Sequence, residues 1–589
     1  MNITDTQPKS DKKPLLSIIT ALSQVATGVD PERHVRKVLF SNPSPSGRIF
    51  SKSEVLSEYS RLKNDGAIQL SEPEEARFLD VIRMKSVRTI SGVTPVTVLT
   101  KPFPCPGKCI FCPNDVRMPK SYLSNEPGAQ RAEANKFDPY YQTYNRLVAL
   151  KNIGHPTDKV EIIILGGTWT AYPVEYQMWF VNRVFEALND FGKNLNPEPI
   201  NPEVMGLPYL EKNLENISGD KINLTYNQVV TAALRKPSSD TVSESATFET
   251  LYESHKLNET SPTKCVGLVI ETRPDEITEE EVIRMRKLGA TKVQLGVQSL
   301  NNKVLSLNNR GHDVDKTAQA FKLLRDAGFK IHVHWMPNLL GSDPKKDIED
   351  YKKLFEDPRF KPDEIKIYPC SLIESAELMR FYKSGEWKPY SQEELLHVLT
   401  EAFKLTPRYC RITRMIRDIP STDIVDGNLK TNFRQIVEQN LKSINVTPVE
   451  IRSREVKELN LTEKDLSILE TDYETEATKE KFIEYITKED KVAGFLRLSL
   501  PNGMHFIEEL SDSAIIREVH VYGRSLEIGE HQKGKAQHLG LGRKLIDRAV
   551  EISKKNGFKT LSVISSVGTR EYYKKLGFEQ SGLYQQMSL

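Results

Sequence analysis

The sequence predicts an α/β protein in which two successive domains follow a helical N-terminal segment. Two observations lead to this prediction. Apolar, β-branched runs such as Lys159–Thr168 alternate with amphipathic helical stretches through the middle of the chain, which is the pattern of strand–helix units around a mostly parallel sheet. From about Ile451 two runs read as antiparallel strands, and a glycine-rich turn then opens a long amphipathic helix.

The expected domain boundaries follow from where these patterns begin and end. A chain of 589 residues exceeds one ordinary hydrophobic core, so two or three domains are expected. The N-terminus resembles a signal peptide only superficially, and we interpret it as a polar leader that runs into an amphipathic helix. We expect a disordered leader at 1–14, a helical segment at 15–90, a strand–helix domain at 91–440 with an insertion near 189–262, and a final domain at 441–589.

Composition excludes several classes of protein. The net charge is only +2, so any contact with nucleic acid must come from local basic patches. No apolar run approaches the length of a membrane span, so no membrane partner is expected. Three of the six cysteines crowd into one motif and the others are scattered, which is not a disulfide framework. We therefore expect a reducing, cytoplasmic setting.

The crowded cysteines are Cys105, Cys109 and Cys112 in "CPGKCIFC", a C-x3-C-x2-C spacing. A structural zinc site takes four ligands, so this alternative needs a fourth ligand from a scattered cysteine (Cys265, Cys370 or Cys410) or a histidine. A cubane iron–sulfur cluster held by three thiolates leaves one iron open to an outside ligand. The spacing, with Phe111 before the last cysteine, resembles the radical-SAM signature. That resemblance implies a [4Fe-4S] cluster, S-adenosylmethionine (SAM) on the open iron, and a partial (β/α) barrel.

The strand ends after this motif are the expected SAM site. "KVEIIILGGT" ends at Gly166, Gly167 and Thr168, where radical-SAM proteins carry a "GGE"-like motif, and here threonine replaces the acid. The strand in "CVGLVIETRPD" ends in Glu271 and Arg273, which alternate onto one face and suit a ribose hydroxyl and a carboxylate. A structural salt bridge is the alternative for either residue.

The C-terminal domain carries a second recognisable motif. Gln537, Gly540 and Gly542 form a Q-x-x-G-x-G spacing that resembles the pyrophosphate loop of the GNAT acetyltransferase fold. Glycines let backbone N–H groups turn toward a phosphate at a helix N-terminus, where the helix dipole favours anions. The strand "REVHVYG" precedes the loop and "GTREYYKKLGF" follows it, as in GNAT proteins. Tyr572 or Tyr573 could reach a thioester sulfur, and we favour Tyr573.

Together the two units resemble the family of the catalytic subunit of Elongator, from about residue 15 to the C-terminus. Strings such as "SGVTPVTVLTKPFPCPGKCIFCP", "FDPYYQT" and "REVHVYG" carry this resemblance. It implies a tRNA-modifying enzyme that installs a carboxymethyl group on C5 of the wobble uridine, U34. A SAM-derived 5′-deoxyadenosyl radical would abstract hydrogen from the methyl group of acetyl-CoA, and the carbon radical would add to C5. Thioester hydrolysis would then leave 5-carboxymethyluridine.

The resemblance also implies site residues. Catalytic roles fall to Tyr572, Tyr573, Glu518 and His520. The expected contacts to acetyl-CoA are Lys159, Glu518, Val519, His520, Val521, Gln537, Gly540, Leu541, Gly542, Arg543 and Tyr573. About seventy residues between Leu188 and Pro262 are longer than the family needs, and we interpret them as an insertion or a substrate-side lobe.

One basic stretch is suited to RNA. Arg83, Lys85, Arg88, Lys101 and Lys108 lie in a window from 81 to 114 that contains no acidic residue, and phosphate contacts dominate nucleic-acid affinity. We therefore assign tRNA binding, through the anticodon stem-loop that carries U34, to this stretch and to the segment 15–90. Other candidates are Arg33, Arg36 and Lys37, and a second group formed by Arg408, Arg411, Arg414 and Arg417. The alternative for either basic group is a solvated helix face or barrel salt bridges.

A protein lysine acetyltransferase is the main alternative function, with the cluster domain as a scaffold and Glu518 as the general base. A different radical-SAM reaction and a non-catalytic RNA-binding subunit are further alternatives. A lysine acetyltransferase needs no SAM, whereas the radical enzyme needs both cofactors and tRNA. A second copy of the chain and accessory subunits are additional candidate partners.

Overall fold

The computed structural model describes residues 11–24, 31–82, 89, 91–197, 225–234, 243–456, 461–503, 505–522 and 540–589. These residues form two compact units, one from 1–94 with 144–159 and one from 95–143 with 160–589. Within the described ranges, no helix is both long and apolar enough to cross a membrane.

Four helices form the core of the first unit: α1 (Lys12–Ser23), α2 (Pro31–Ser41), α3 (Lys52–Asn64) and α4 (Glu72–Ile82). Helix α1 buries Leu15, Ile18, Ile19 and Leu22 along one face, the spacing of an amphipathic helix. It begins at Lys12, within the predicted leader 1–14. Pro14 in its first turn is tolerated there because the N–H that proline lacks would have no acceptor within the helix. Residues 1–10 of the predicted leader lie outside the described residues.

The remaining helices follow in chain order. They are α5 (Pro127–Ala134), α6 (Pro139–Asn152), α7 (Val174–Gly192), α8 (Tyr226–Leu234), α9 (Phe248–Thr260), α10 (Glu279–Lys287), α11 (Asn302–Leu307), α12 (Val314–Asp326), α13 (Pro344–Glu356), α14 (Leu378–Lys383), α15 (Gln392–Leu405), α16 (Phe433–Ser443), α17 (Ile451–Arg454), α18 (Leu541–Lys555) and α19 (Arg570–Lys574).

The strands form two large sheets and one small one. They are β1 (Thr94–Leu99), β2 (Lys159–Leu165), β3 (Lys264–Thr272), β4 (Lys292–Gln298), β5 (Lys330–Trp335), β6 (Glu364–Ile367), β7 (Leu372–Ile373), β8 (Arg411–Met415), β9 (Ile424–Asp426), β10 (Ser467–Glu474), β11 (Thr478–Ile486), β12 (Val492–Pro501), β13 (Ser513–Val521), β14 (Thr560–Val563), β15 (Glu579–Ser581) and β16 (Tyr584–Ser588).

The first large sheet is a partial barrel, as predicted. Its strand order is β1-β2-β3-β4-β5-β6-β8, and the pairs from β3 to β8 are parallel. Helices between successive strands are capped by side chains, as where Thr278 accepts from the Glu281 N–H and Asp313 accepts from the Lys316 N–H. Because all these strands run in one direction, their carboxyl ends meet at one edge and can build one site.

The second large sheet has the order β10-β11-β12-β13-β14-β16-β15 and confirms the predicted GNAT domain. Its neighbours are antiparallel except for β13 and β14. These two strands pair in parallel only over Ser513–Ile516, so β13 then diverges from β14. Residues Glu518–Val521 pair with β12 on one side, and among the described residues Glu518–His520 have no paired strand on the other.

A buried ionic network joins the two sheets. Asp363, which precedes β6, accepts from both terminal nitrogens of Arg517 on β13 at 2.7 Å, and Arg325 and Arg497 also lie within 3.5 Å. Glu480 on β11 pairs with the other side of Arg517 at 2.8 Å. Such pairs tolerate burial only when their hydrogen bonds are satisfied. The network therefore fixes strand β13 against the amino ends of the barrel strands.

Candidate active site

The cysteine loop lies at the carboxyl ends of the barrel strands and is held by backbone hydrogen bonds. The Ile110 N–H donates to the Asn308 carbonyl at 3.3 Å, and the Ile110 carbonyl accepts from the Leu378 N–H at 2.8 Å. Cys105, Cys109 and Cys112 are each 8 % exposed. Three sulfurs are thus brought to one loop in a nearly closed environment.

Helix α8 of the predicted insertion also holds this loop. The Asn227 side chain accepts from the Cys105 N–H at 2.9 Å and donates to the Cys105 carbonyl at 2.8 Å. The neighbouring Tyr226 hydroxyl donates to the Met118 carbonyl at 2.8 Å. The described part of the insertion is therefore built into the site. Residues 198–224 and 235–242 of the insertion lie outside the described residues.

Two arginines surround Cys109. Arg310 donates to its sulfur at 3.0 Å and Arg273 at 3.6 Å. A hydrogen bond from Cys112, together with these two guanidinium groups, holds the pKa of Cys109 well below its usual range, against the opposing effect of burial. The Cys112 sulfur lies 3.1 Å from the Ser121 hydroxyl. The loop favours a thiolate, which is the form that binds metal.

The donor set of this loop fits an iron–sulfur cluster. Three cysteines on one loop, of which Cys109 has thiolate-stabilising neighbours, are the ligands that a cubane cluster requires. Among the described residues, no group of three or more histidine, cysteine or acidic side chains could hold a single metal ion. Cys265, Cys370 and Cys410 are buried, and burial raises the pKa of each thiol. The zinc alternative, which needs a fourth ligand on the same ion, therefore fits this loop less well.

The residues predicted for SAM surround the cysteine loop. The Thr168 hydroxyl lies 3.4 Å from the Cys105 sulfur, directly after Gly166 and Gly167. A Cβ at Gly166 would lie 2.0 Å from the Thr100 hydroxyl, so the turn needs glycine for packing as well as for its positive φ. Glu271 accepts from Tyr122 at 3.1 Å, and Arg273 pairs with Asp275 at 2.7 Å. Their contact with SAM stays a prediction, but their placement beside the cysteines supports it.

The second half of the site is the diverging end of strand β13. Among the described residues, no strand pairs with Glu518–His520 on the β14 side, so their backbone groups can face a bound thioester carbonyl. Helix α18 begins directly after Gly540, whose φ of 65° lies in the left-handed region. The N–H groups of its first turn have no acceptor within the helix, as at any helix N-terminus. Leu541, Gly542 and Arg543 form its first turn, and Arg543 pairs with Asp547 at 2.9 Å. Gln537 lies outside the described residues.

Glu518 is a poor candidate for a general base. Its carboxylate pairs with Lys330, the first residue of β5, and with Arg497 at 2.8 Å. Burial opposes ionisation, but these two cations outweigh it and lower the pKa of Glu518. Burial also lowers the pKa of His520 to about 4, so its imidazole is neutral. This geometry counts against the lysine acetyltransferase alternative.

The structure favours Tyr572 over Tyr573 for a ligand contact, the reverse of our sequence-based preference. Tyr573 is 7 % exposed and packs in the core of the GNAT sheet, with its ring 5.6 Å from that of Phe578. Tyr572 is 44 % exposed, and its hydroxyl lies 2.9 Å from the position that a Cβ of Gly542 would take. Spacing alone could not distinguish two adjacent tyrosines. Lys159 begins β2 and lies 3.9 Å from Asp158, and its predicted contact with acetyl-CoA stays a prediction.

The basic residues predicted for RNA have different environments. Lys108 is exposed on the cysteine loop, whereas Lys101 is 5 % exposed and paired with Glu244, which leaves it unsuited to a phosphate contact. Arg83, Lys85 and Arg88 lie outside the described residues. Each of the four arginines in the second basic group pairs with a carboxylate, as the salt-bridge alternative predicted. These pairs are Arg408 with Glu484, Arg411 with Glu455, Arg414 with Asp418 and Arg417 with Glu126.

Comparisons with known proteins agree with this geometry. Family models match at 249–355 (Radical SAM superfamily), 362–443 (Radical_SAM C-terminal domain) and 450–578 (Acetyltransferase (GNAT) family). A tRNA uridine(34) acetyltransferase of Methanocaldococcus jannaschii is 37 % identical over 538 residues, which cover 88 % of this chain and 89 % of that protein. Elongator complex protein 3 of Homo sapiens is 32 % identical over 521 residues, with 85 % of each chain covered.

A solved structure extends the similarity to three dimensions. The archaeal Elp3 of Methanocaldococcus infernus, with an N-terminal deletion (1–46), superposes with a TM-score of 0.66 at 34 % identity, covering 85 % of this chain and 100 % of that one. Fold and site thus define a radical SAM protein with a fused GNAT domain. The chain belongs to the family that includes tRNA uridine(34) acetyltransferase and Elongator complex protein 3. This membership implies a [4Fe-4S] cluster, SAM and acetyl-CoA.

Proposed function

We propose that this protein forms 5-carboxymethyluridine at U34 of tRNA from acetyl-CoA, with a [4Fe-4S] cluster and SAM. The observation that supports the proposal best is the placement of the two half-sites. The cysteine loop lies at the carboxyl ends of the barrel strands, and β13 lies against their amino ends through Lys330 and Glu518. The same barrel therefore carries both proposed half-sites, the loop for the radical and the strand for the thioester.

Each half-site has residues suited to its ligand. Cys105, Cys109 and Cys112 would hold the cluster, which with SAM supplies a 5′-deoxyadenosyl radical when both are bound. Arg273 and Glu271 would orient SAM through its carboxylate and ribose. The first turn of α18 would bind the pyrophosphate of acetyl-CoA, and Glu518–His520 on β13 would donate backbone N–H groups to its thioester carbonyl.

The lysine acetyltransferase alternative lacks its base. A general base must accept a proton near neutral pH, but Glu518 is held as an ion pair by two cations. The neutral imidazole of His520 remains on the same strand, and none of the described residues of the site indicates a peptide substrate. Hydrolysis of the thioester needs only a polarised carbonyl and a positioned water, which β13 can supply.

An anaerobic reaction with omitted components tests the proposal. The reconstituted protein is incubated with unmodified tRNA, SAM, acetyl-CoA and a reductant, and nucleosides are analysed by mass spectrometry. We expect 5-carboxymethyluridine only when every component is present. If acetyl-CoA is consumed and acetyl-lysine forms without SAM while uridine stays unmodified, the proposal is wrong and the alternative is supported.

A further inference from the structure

The interior of the partial barrel is lined by charged and polar side chains. Closed (β/α) barrels usually fill this space with branched apolar residues. Here the lower layer, nearest β13, contains Lys292 and Lys330, which both pair with Glu364 at 3.3 and 2.8 Å. Lys330 also reaches Glu518 on β13. Every charge of this layer is compensated, so it supports the interface between the two sheets.

The upper layer lies one side-chain position further along the strands, toward the cysteine loop. We define it as Glu271, Gln294, His334 and Lys366. Lys366 donates to the Gln294 side-chain oxygen at 2.6 Å, and the His334 ring nitrogen lies 3.2 Å from that same oxygen. Glu271 is 3.8 Å from His334 and accepts from Tyr122, the residue after Ser121 at the cysteine loop.

Lys366 is the unusual member of this layer. The other lysines and arginines on β4, β5, β6 and β8 all have a carboxylate within 4.0 Å. Among the described residues Lys366 has none, and its hydrogen bond goes to a neutral amide. A buried cation without a direct ion pair is costly, and burial, opposed by the more distant charge of Glu271, lowers the pKa of Lys366 to about 8. Lys366 nevertheless keeps some solvent exposure, so part of its side chain is accessible to solvent.

An aromatic ring lies beside this cation. Tyr368 follows β6, is half-buried, and meets the His334 ring edge-to-face at 5.5 Å. Lys366 and Arg414 each lie 6.0 Å from its ring centroid. Proteins that read single-stranded RNA stack splayed bases on rings of this kind and contact their edges with polar groups.

We propose that the upper layer with Tyr368 is the pocket that receives the base of the target uridine. Lys366 moves its hydrogen bond from the Gln294 oxygen to O4 of uracil, the Gln294 oxygen then accepts from N3–H in its place, and Tyr368 stacks on the ring. This assignment rests on the proposed function and adds to it the residues that select the base. Cytosine would be rejected because its amino group, a donor, would meet the ammonium donor of Lys366.

The mixed hydrogen-bonding character of the layer favours a base over an anion such as the product carboxylate. A carboxylate accepts only, and would lie close to the acid Glu271. The Watson–Crick edge of uracil combines an acceptor at O4 with a donor at N3, which matches a lysine beside an amide oxygen. A base that reaches this layer must leave its stack, as in other enzymes that act on a single base.

A double-mutant cycle between enzyme and substrate tests the pairing of Lys366 with O4. Wild type and Lys366→Met are assayed on an anticodon stem-loop with uridine at position 34 and on one with 4-thiouridine, which keeps N3–H but replaces O4 with sulfur, a weaker hydrogen-bond acceptor. We expect each single change to lower kcat/KM by about ten- to a hundredfold and the two together to cost no more than either. Because both enzymes see the same two substrates, differences in intrinsic reactivity cancel. Independent, multiplying effects would overturn the assignment.

Lys352→Met, on the exposed face of α13, is the matched control and should behave as wild type. Cluster absorbance, acetyl-CoA affinity and the Kd for the stem-loop should be unchanged in Lys366→Met, since phosphates dominate that Kd. If the wild type makes no 5-carboxymethyluridine from the uridine stem-loop, the proposed function fails. If it does so and the cycle shows no coupling, only the base pocket fails.

Photocrosslinking gives a readout that needs neither catalysis nor a variant. A stem-loop with 4-thiouridine at position 34 is irradiated with the protein, and crosslinked peptides are identified by mass spectrometry. We expect attachment to the peptide that contains Lys366 and Tyr368. Attachment confined to peptides outside the barrel strands would overturn the proposal.

Discussion

The three cysteine sulfurs of the loop have different neighbours. Cys109 receives two guanidinium N–H groups, Cys105 faces the Thr168 hydroxyl and Cys112 faces Ser121. Hydrogen bonds to sulfur are among the factors that set the reduction potential of an iron–sulfur cluster. Arg273 follows strand β3 and Arg310 follows helix α11. The electron density on the Cys109 sulfur therefore depends on the fold and not on the cysteine loop alone.

The first prediction concerns these sulfurs. Cys109→Ala should abolish both the charge-transfer absorbance of the reconstituted cluster and 5-carboxymethyluridine formation, because two thiolates cannot hold a cubane that needs three. The measurement is iron content per chain together with the visible spectrum. Cys265→Ala is the matched control: this cysteine is buried on β3 away from the loop, so the variant should keep the cluster. Full iron loading of Cys109→Ala would contradict the assignment.

At the scale of elements, the N-terminus of α18 gives the second prediction. Gly542→Glu should lower acetyl-CoA affinity at least tenfold, because its carboxylate would lie where the pyrophosphate binds and its Cβ would displace the Tyr572 hydroxyl. Isothermal titration with acetyl-CoA measures this, and the cluster spectrum should be unchanged. Gly503→Glu is the control, because a Cβ there meets no atom within 4 Å. Unaltered affinity in Gly542→Glu would show that α18 does not bind the cofactor.

Helix α8 gives the third prediction. Asn227→Ala removes both hydrogen bonds to the Cys105 backbone, each worth about 0.5–1.5 kcal/mol, and should reduce cluster retention without unfolding the barrel. The rate of iron loss to a chelator is the measurement. Ala232→Ser changes an exposed position on the same helix and should lose iron at the wild-type rate. Equal rates in both variants would mean that α8 does not stabilise the loop.

These elements also show how far sequence reasoning reaches. The alternating strands and the glycine before α18 are local patterns, and the barrel strands and the helix that they predicted are present, whereas the cluster site that the cysteine spacing indicates stays a prediction. Asn227, Arg310 and Lys366 were missed because each acts through residues more than seventy positions away or across a strand pair. The spacing of Arg408, Arg411, Arg414 and Arg417 did not reveal their partners, because these lie on five separate segments.

At the scale of the whole second unit, the barrel and the GNAT sheet are held together by charge. Asp363 has three arginines within 3.5 Å, and all four groups are at most 2 % exposed. A buried pair is weak evidence for stability, since an apolar replacement of the whole network could be as stable. Removal of one partner is different, because it leaves the opposite charges buried and uncompensated.

The last prediction follows from that asymmetry. Asp363→Asn should lower the free energy of unfolding by about 3–5 kcal/mol, measured by chemical denaturation at neutral pH. Three arginines hold the pKa of Asp363 far below its unfolded value, against burial, so its contribution is present above about pH 4 and is lost as the pH falls further. The wild type should therefore lose stability in acid more steeply than Asp363→Asn. Parallel acid profiles would show that this carboxylate does not bind the two domains together.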